Sequence, residues 1–147
     1  MTNYLHYYLA LDQAKKSYAE GGIPIGSVLV KNEEIIGKGH NQRVQQSNPI
    51  LHGEMDCLQN AGRLVDYSDT TLYTTLSPCM MCSGTIVQFN IKKVIIGENK
   101  NFEGNISFLE EHGIEVDILD DKETIELMTK FIKEKPELWN EDISETT

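Results

Sequence analysis

Apolar residues in this chain fall into periodic sets and short runs, separated by polar or glycine-bearing stretches. Leu5, Tyr8, Leu9, Leu11 and Tyr18 recur at mostly helical spacing, and Gly21-Gly22 closes that segment, which predicts a helix over residues 4–20. An apolar run at 25–30 and a second segment at 34–40 flank Lys31-Asn32-Glu33 and predict a β-hairpin. Residues 41–51 are polar, carry Pro49 and read as a loop, and 52–62 suits a helix. The Thr- and Tyr-rich stretch 70–75 predicts a strand. Ser77 then offers an N-cap and Pro78 a first helical position for a helix running to about residue 90. Val94-Ile95-Ile96 is a buried-strand run ended by Gly97, and 114–119 is another strand. Ile125, Leu127, Met128, Phe131 and Ile132 mark the apolar face of a helix over 120–133, which Pro136 breaks. A short tail, 137–143, holds the only tryptophan. Strands alternating with helices predict an α/β layered domain. The helices expected at His52 and Pro78 each follow a loop or an extended segment, a place where ligand sites form.

Length and composition narrow the class. At 147 residues the chain is expected to form one domain with a single core. No stretch approaches the ~18–20 consecutive apolar residues of a membrane span, and Met1-Thr2-Asn3-Tyr4 has neither a basic nor an apolar leader region, so a cytoplasmic protein is expected. Three cysteines without a secretion signal argue against a disulfide framework. Cys57 stands alone and reads as a small buried apolar side chain. The net charge of −10 is unevenly placed: residues 1–97 hold eight acids and eight bases, whereas 98–147 hold fifteen acids and five lysines. A polyanion reader needs a basic stripe, and none is visible, which disfavours tRNA or DNA as substrate. The plainer alternative, that the acidity only aids solubility, disfavours those substrates as well.

The chemistry lies in His52-Gly53-Glu54 and Pro78-Cys79-Met80-Met81-Cys82, an H-x-E…P-C-x-x-C pattern that is the signature of the zinc deaminases. Cys79 and Cys82 are three apart, share a helical face and can reach one ion. Free N–H groups in a helix's first turn favour their thiolates. His52 supplies a third ligand, and three protein ligands with one open position define a catalytic zinc. A structural zinc needs a fourth ligand, and no second C-x-x-C or H-x3–5-H pair accompanies the cysteines; His6, His40 and His112 are scattered. A thioredoxin-like redox pair would leave His52 and Glu54 without a role. Glu54, two residues past His52, does not share its helical face, so it is better placed as a proton carrier beside the reacting water than as a ligand. The plain alternative is a first-turn Glu that stabilises the helix start.

Beyond that motif, Gly21-Gly22-Ile23-Pro24-Ile25-Gly26, Gly39-His40-Asn41, Leu51-His52-Gly53-Glu54, Gly62-Arg63-Leu64, Thr70-Thr71-Leu72-Tyr73-Thr74-Thr75-Leu76-Ser77-Pro78-Cys79, Gly97-Glu98-Asn99 and Trp139-Asn140-Glu141-Asp142-Ile143 closely resemble the yeast-type cytosine deaminases of the cytidine deaminase superfamily. The resemblance spans nearly the whole chain. It implies a three-layer cytidine-deaminase-like fold, with a mixed five-stranded sheet between helices, in a single domain over 1–147 whose segment 136–147 is a C-terminal lid. It implies a homodimer with one Zn²⁺ per subunit, held by His52, Cys79 and Cys82, with Glu54 catalytic. It further implies a small nucleobase substrate in pyrimidine salvage, cytosine going to uracil and ammonia. Asn41 and the backbone N–H of Gly53 would donate to the base O2. The Ser77 carbonyl would accept from the exocyclic amine, and Asp142 from N1–H. Ile25, Leu76, Phe102 and Trp139 would wall the ring.

A carboxylate aimed at N1 selects the free base, because N1 carries the sugar in a nucleoside and a buried acceptor left unpaired costs binding. Each role has a plainer counterpart: Trp139 and Phe102 as core, Asp142 as one more solvated acid, Asn41 as a loop-shaping residue. Two positions depart from the family pattern. Met80 stands between the cysteines where the pattern has an acid, and Asn140 replaces an aromatic beside Trp139. Neither is a ligand or proton carrier, but both leave room for isocytosine, guanine or a pterin-like ring as substrate. A tRNA adenosine deaminase uses a similar motif, and a non-catalytic zinc-stabilised binding module would fold only with metal and would have no need of Glu54.

Overall fold

A computed structural model describes residues 3–145 of the chain. Met1 and Thr2, on which the leader argument partly rests, and the last two residues of the 136–147 segment lie outside the described residues. The chain runs α1 (Tyr4–Ala19), β1 (Gly26–Lys31), β2 (Glu34–His40), α2 (Gly53–Ala61), β3 (Thr70–Leu76), α3 (Met80–Phe89), β4 (Lys93–Glu98), α4 (Ile106–Glu111), β5 (Glu115–Ile118), α5 (Lys122–Glu134) and α6 (Pro136–Asp142). One five-stranded sheet has the order β2-β1-β3-β4-β5. The hairpin β1–β2 and the pair β1–β3 are antiparallel, and β3, β4 and β5 are parallel. The expected mixed sheet between helices is therefore the architecture found.

Strand alternation divides the core into two layers. Val28, Val30, Tyr73 and Ile95 point to one face, where Tyr7, Ala10, Leu11 and Ala14 of α1 pack with Leu127 of α5 at the margin. Leu29, Leu72, Val94 and Ile96 point to the other, against Cys57 and Leu58 of α2, Ile86 of α3 and Leu109 of α4. Cys57 is a fully buried apolar filler, as expected. A third cluster of Ile23, Ile25, Leu76, Met128, Phe131 and Trp139 closes one end of the sheet, where β3 ends and β1 begins.

Four local details differ from the sequence expectation. The buried stripe of α1 is Tyr7, Ala10, Leu11, Ala14 and Ser17, while Leu5 is 74% exposed. Close approach to the sheet favours small residues over the larger periodic set. The helix expected from Pro78 starts at Met80 with Cys79 at its N-cap, because the Ser77 hydroxyl donates to the Glu103 carbonyl (2.9 Å) and caps nothing. Gly97 does not end β4 but lies within it. Pro136 breaks α5 yet begins α6 at a first-turn position that needs no N–H.

Gly97 has a packing reason. A Cβ there would lie 2.0 Å from the Tyr7 hydroxyl and 2.6 Å from the Thr75 carbonyl. Tyr7 is fully buried and bonded to Thr124, so it has nowhere to go. Gly97→Ala is expected to cost about 1–3 kcal/mol of stability by overpacking, read as a lower urea midpoint at unchanged m.

Candidate active site

β2 and β3 both point toward the sheet end that holds the third core cluster, and each is followed by a helix that starts there. His52 is the N-cap of α2, Cys79 is the N-cap of α3, and Cys82 lies in the first turn of α3. Two helix starts therefore deliver three ligand-type side chains to one point, at the carboxyl ends of the parallel strands. One ligand atom from each of His52, Cys79 and Cys82 lies within 4.8 Å of the others. His52 Nδ1 is 3.5 Å from Cys79 Sγ. All three cysteines are free thiols, so the C-x-x-C pair is not a disulfide.

The electrostatics suit a cation. The Cys82 thiol donates to Cys79, and with His52 beside it this draws the Cys79 thiol down to about 4 against the cost of burial. Burial pushes His52 down, but its bond to Cys79 and the charge of Asp142 outweigh that and carry it up to about 9. Two sulfurs and one ring nitrogen thus converge on a single point, as a metal that takes thiolate and neutral imidazole ligands requires. This soft donor set with one imidazole fits zinc.

Glu54 shares a small cavity with His52 and Cys79 that is also lined by Ile25, Leu76, Ser77, Phe102, Trp139, Asp142 and Ile143. The Glu54 carboxyl is only 4% exposed. Burial, reinforced by the Cys79 thiolate, pushes it up to about 7; a bound cation pulls it down again. A buried carboxyl set beside the metal ligands is placed to take a proton and to return it.

Asn41, fully buried at the end of β2, faces Asp142 of α6. Its Oδ1 accepts from the Arg43 N–H (2.9 Å), which turns its amide NH₂ toward Asp142 Oδ1 (3.2 Å). Asp142 Oδ1 lies 3.6 Å from His52 Nε2, and burial raises the Asp142 carboxyl above its usual range. Asn41 and Gly53 stand just behind the cavity lining; Gly53 packs against Ile25, whose carbonyl lies 2.9 Å from where a Cβ would be. Phe102 meets Trp139 edge-on at 6.0 Å. Its loop is set by Glu98, whose Oε1 accepts from the N–H groups of Lys100 and Asn101 (2.9 Å each).

Of the site residues singled out from the sequence, nine line this cavity, while Asn41, Gly53 and Cys82 lie against Asp142, Ile25 and Cys79 of its lining. Residues that sequence reasoning missed are Ile143 on the cavity wall, Glu98 under the Phe102 loop, and Arg43, whose Nη1 meets Glu141 Oε1 of α6 at 2.9 Å. Arg43 stands two residues from Asn41, a basic residue beside a predicted reader of the base. Glu98 is bonded to the backbone of Lys100 and Asn101 and to the Asn101 side chain, contacts that its residue type alone does not disclose.

A buried metal-type triad with a neighbouring carboxyl, set at helix starts on a mixed sheet, defines a metal-dependent hydrolytic centre. Residues 2–98 match the cytidine and deoxycytidylate deaminase zinc-binding region, and the chain belongs to that family. It is 59% identical over 140 residues to a cytosine deaminase of Candida albicans, covering 93% of each chain. It is 45% identical over 102 residues to a tRNA-specific adenosine deaminase of Streptococcus pyogenes, covering 65% of this chain and 62% of the relative. Among solved structures, one from a study of A-to-I editing by tRNA:A34 deaminases superposes with a TM-score of 0.75 at 25% identity, over 85% of this chain and 99% of the other.

Proposed function

We propose that the protein hydrolyses the exocyclic amine of a free pyrimidine base, converting cytosine and water to uracil and ammonia. The observation that carries this reading is α6, which brings Trp139 and Asp142 into the cavity that holds His52, Cys79 and Glu54. These side chains lie beyond the region matched by the deaminase family as a whole, while the similarity to the Candida cytosine deaminase runs well past it.

Bound zinc supplies the Lewis acidity that makes water a competent nucleophile near neutral pH. Glu54 takes a proton from that water as its oxygen bonds to the amino-bearing ring carbon. Glu54 passes that proton to the ring nitrogen, then moves the proton of the newly attached hydroxyl to the amine, and the carbon–nitrogen bond breaks to leave a carbonyl and release ammonia. Asn41 donates to the base O2 through the NH₂ hydrogen not used by Asp142, and the Gly53 N–H assists. The Ser77 carbonyl accepts from the exocyclic amine, and Asp142 from N1–H. Ile25, Leu76, Phe102 and Trp139 hold the ring and keep bulk water away. The segment from Pro136 acts as the lid, latched to the Asn41 loop by Arg43–Glu141 and Asn41–Asp142.

The wider reading is a single deaminase domain working as a homodimer in cytosolic pyrimidine salvage, with one zinc per subunit. An apolar groove beside α2 and α3, lined by Leu51, Met55, Leu58, Tyr67 and Phe89, supports pairing of two copies. Three unpaired thiols suit a reducing compartment.

The test is ammonia release from cytosine, cytidine, guanine, adenine and isocytosine. Cytosine should react, and cytidine should fall short by about 10⁴-fold, the scale on which a site built to bond a polar hydrogen rejects a ligand lacking it. Equal turnover of cytidine would remove the role given to Asp142. Faster turnover of guanine or isocytosine would move the substrate to that ring, and tight, salt-sensitive tRNA binding in a gel shift would favour the nucleic-acid branch.

A further inference from the structure

We propose that Asp56 is a positioning residue that locks Asn41 to the helix bearing His52 and Glu54, and so sets the distance between the base-reading group and the proton carrier. The inference rests on the function proposed above. Asp56 is only 2% exposed and lies two residues past Glu54 on α2. Its Oδ2 accepts from the backbone N–H of His40 at 3.0 Å, and its Oδ1 accepts from Gln42 Nε2 at 3.1 Å. His40 and Gln42 are the two neighbours of Asn41 in the chain, so one carboxylate brackets the residue from both sides.

The surroundings make this bracket rigid. β2 is an edge strand, and α2 lies hard against it: a Cβ on Gly39 would lie 2.4 Å from the Cys57 nitrogen and 2.7 Å from Asp56 Oδ2. Asn60 Nδ2 adds a second tie from α2 to the strand, donating to the Lys38 carbonyl at 2.8 Å. The Gln42 side chain cannot turn freely, because its Oε1 accepts from Gln46 Nε2 at 2.7 Å. Asn41 itself is held at its N–H by the Ile25 carbonyl (2.9 Å) and at its carbonyl by the Ser17 hydroxyl (2.7 Å). What remains for Asp56 is to fix this loop relative to α2.

A buried carboxylate is a costly way to cap two neutral donors. No ion pair among the described residues involves Asp56. A carboxylate, which accepts at both oxygens, bonds two donors at once and fixes their separation.

The zinc-loaded full chain provides the test. Asp56→Ala should raise KM for cytosine about tenfold or more, the scale of a lost charge-assisted hydrogen bond, with kcat changed far less and zinc content unchanged. In an Asn41→Ala background the same substitution should add little further loss, because the effect passes through Asn41. Asp56→Asn keeps one acceptor and should fall between parent and Ala. Gln42→Ala, which leaves α2 untouched, should reproduce part of the KM rise if Asp56→Ala fails to fold. Independently of any substrate, amide exchange in peptide 39–43 should accelerate in the Asp56 variants. Unchanged exchange there, or an unchanged KM in a folded, zinc-loaded variant, would overturn the positioning role. Failure of the parent to deaminate cytosine would instead overturn the proposed function and leave the exchange result standing.

Discussion

Glu54→Gln is expected to slow cytosine deamination by about 10²–10⁴-fold while zinc stays bound. Glutamine fills the same space and can still accept a hydrogen bond, but it cannot take a proton from water or return one to the ring. The parent carboxyl sits in a pocket where it is only 4% exposed, so bulk water cannot stand in for it. Its place on α2, two residues beyond the N-cap His52, puts it beside the metal ligands without joining the convergent triad. The loss should therefore appear in kcat, with KM for cytosine little moved. Single-turnover ammonia release and elemental analysis on one preparation measure both halves. Turnover close to the parent's would take Glu54 out of the chemistry, and loss of zinc would make it a ligand.

The metal triad was legible because its chemistry demands particular side chains at particular separations, and those separations survive translation into structure. The C-x-x-C pair keeps its meaning although α3 starts two residues later than Ser77-Pro78 suggested. That shift was not readable locally, since Ser77 spends its hydroxyl on Glu103, far along the chain. The sheet was legible from apolar runs, because buried parallel strands are apolar on both faces. The segment between β4 and β5 gave no expectation of regular structure, and α4 there is six residues, too short to set up a clear period. In α1 the largest apolar residues were a poor guide, because the sheet lies close and selects Ala10, Ala14 and Ser17. Supporting groups such as Asp56, Glu98 and Arg43 were hidden for a common reason: each acts on backbone or on a distant partner, and a sequence records neither. By contrast Asn41, Trp139 and Asp142 were reachable, but only through resemblance, since as isolated residues each had an ordinary structural explanation.

Stripping zinc should both abolish activity and lower thermal stability, without unfolding the protein at room temperature. The three ligands come from the starts of α2 and α3, so the ion joins two helices that otherwise meet through side-chain packing. A ligand present at about 100 times its dissociation constant stabilises the native state by about 2.7 kcal/mol. For a chain of this size that corresponds to a Tm lower by roughly 5–10 °C in chelator. The two main core clusters contain none of His52, Cys79 and Cys82, so the sheet and its helices should persist in the metal-free form. That separates this site from a zinc module that folds only when loaded. Cys82→Ala should lose zinc and activity together, and chelator should then leave its Tm unmoved. Cys57→Ala, which empties a little volume in the core beneath α2, should lower stability modestly but keep one zinc per chain. Calorimetry with and without chelator, paired with elemental analysis of the two cysteine variants, decides the matter. Full zinc content in Cys82→Ala would break the assignment of the triad, and a chelator-treated parent that loses its sheet signal would show the metal to be structural instead.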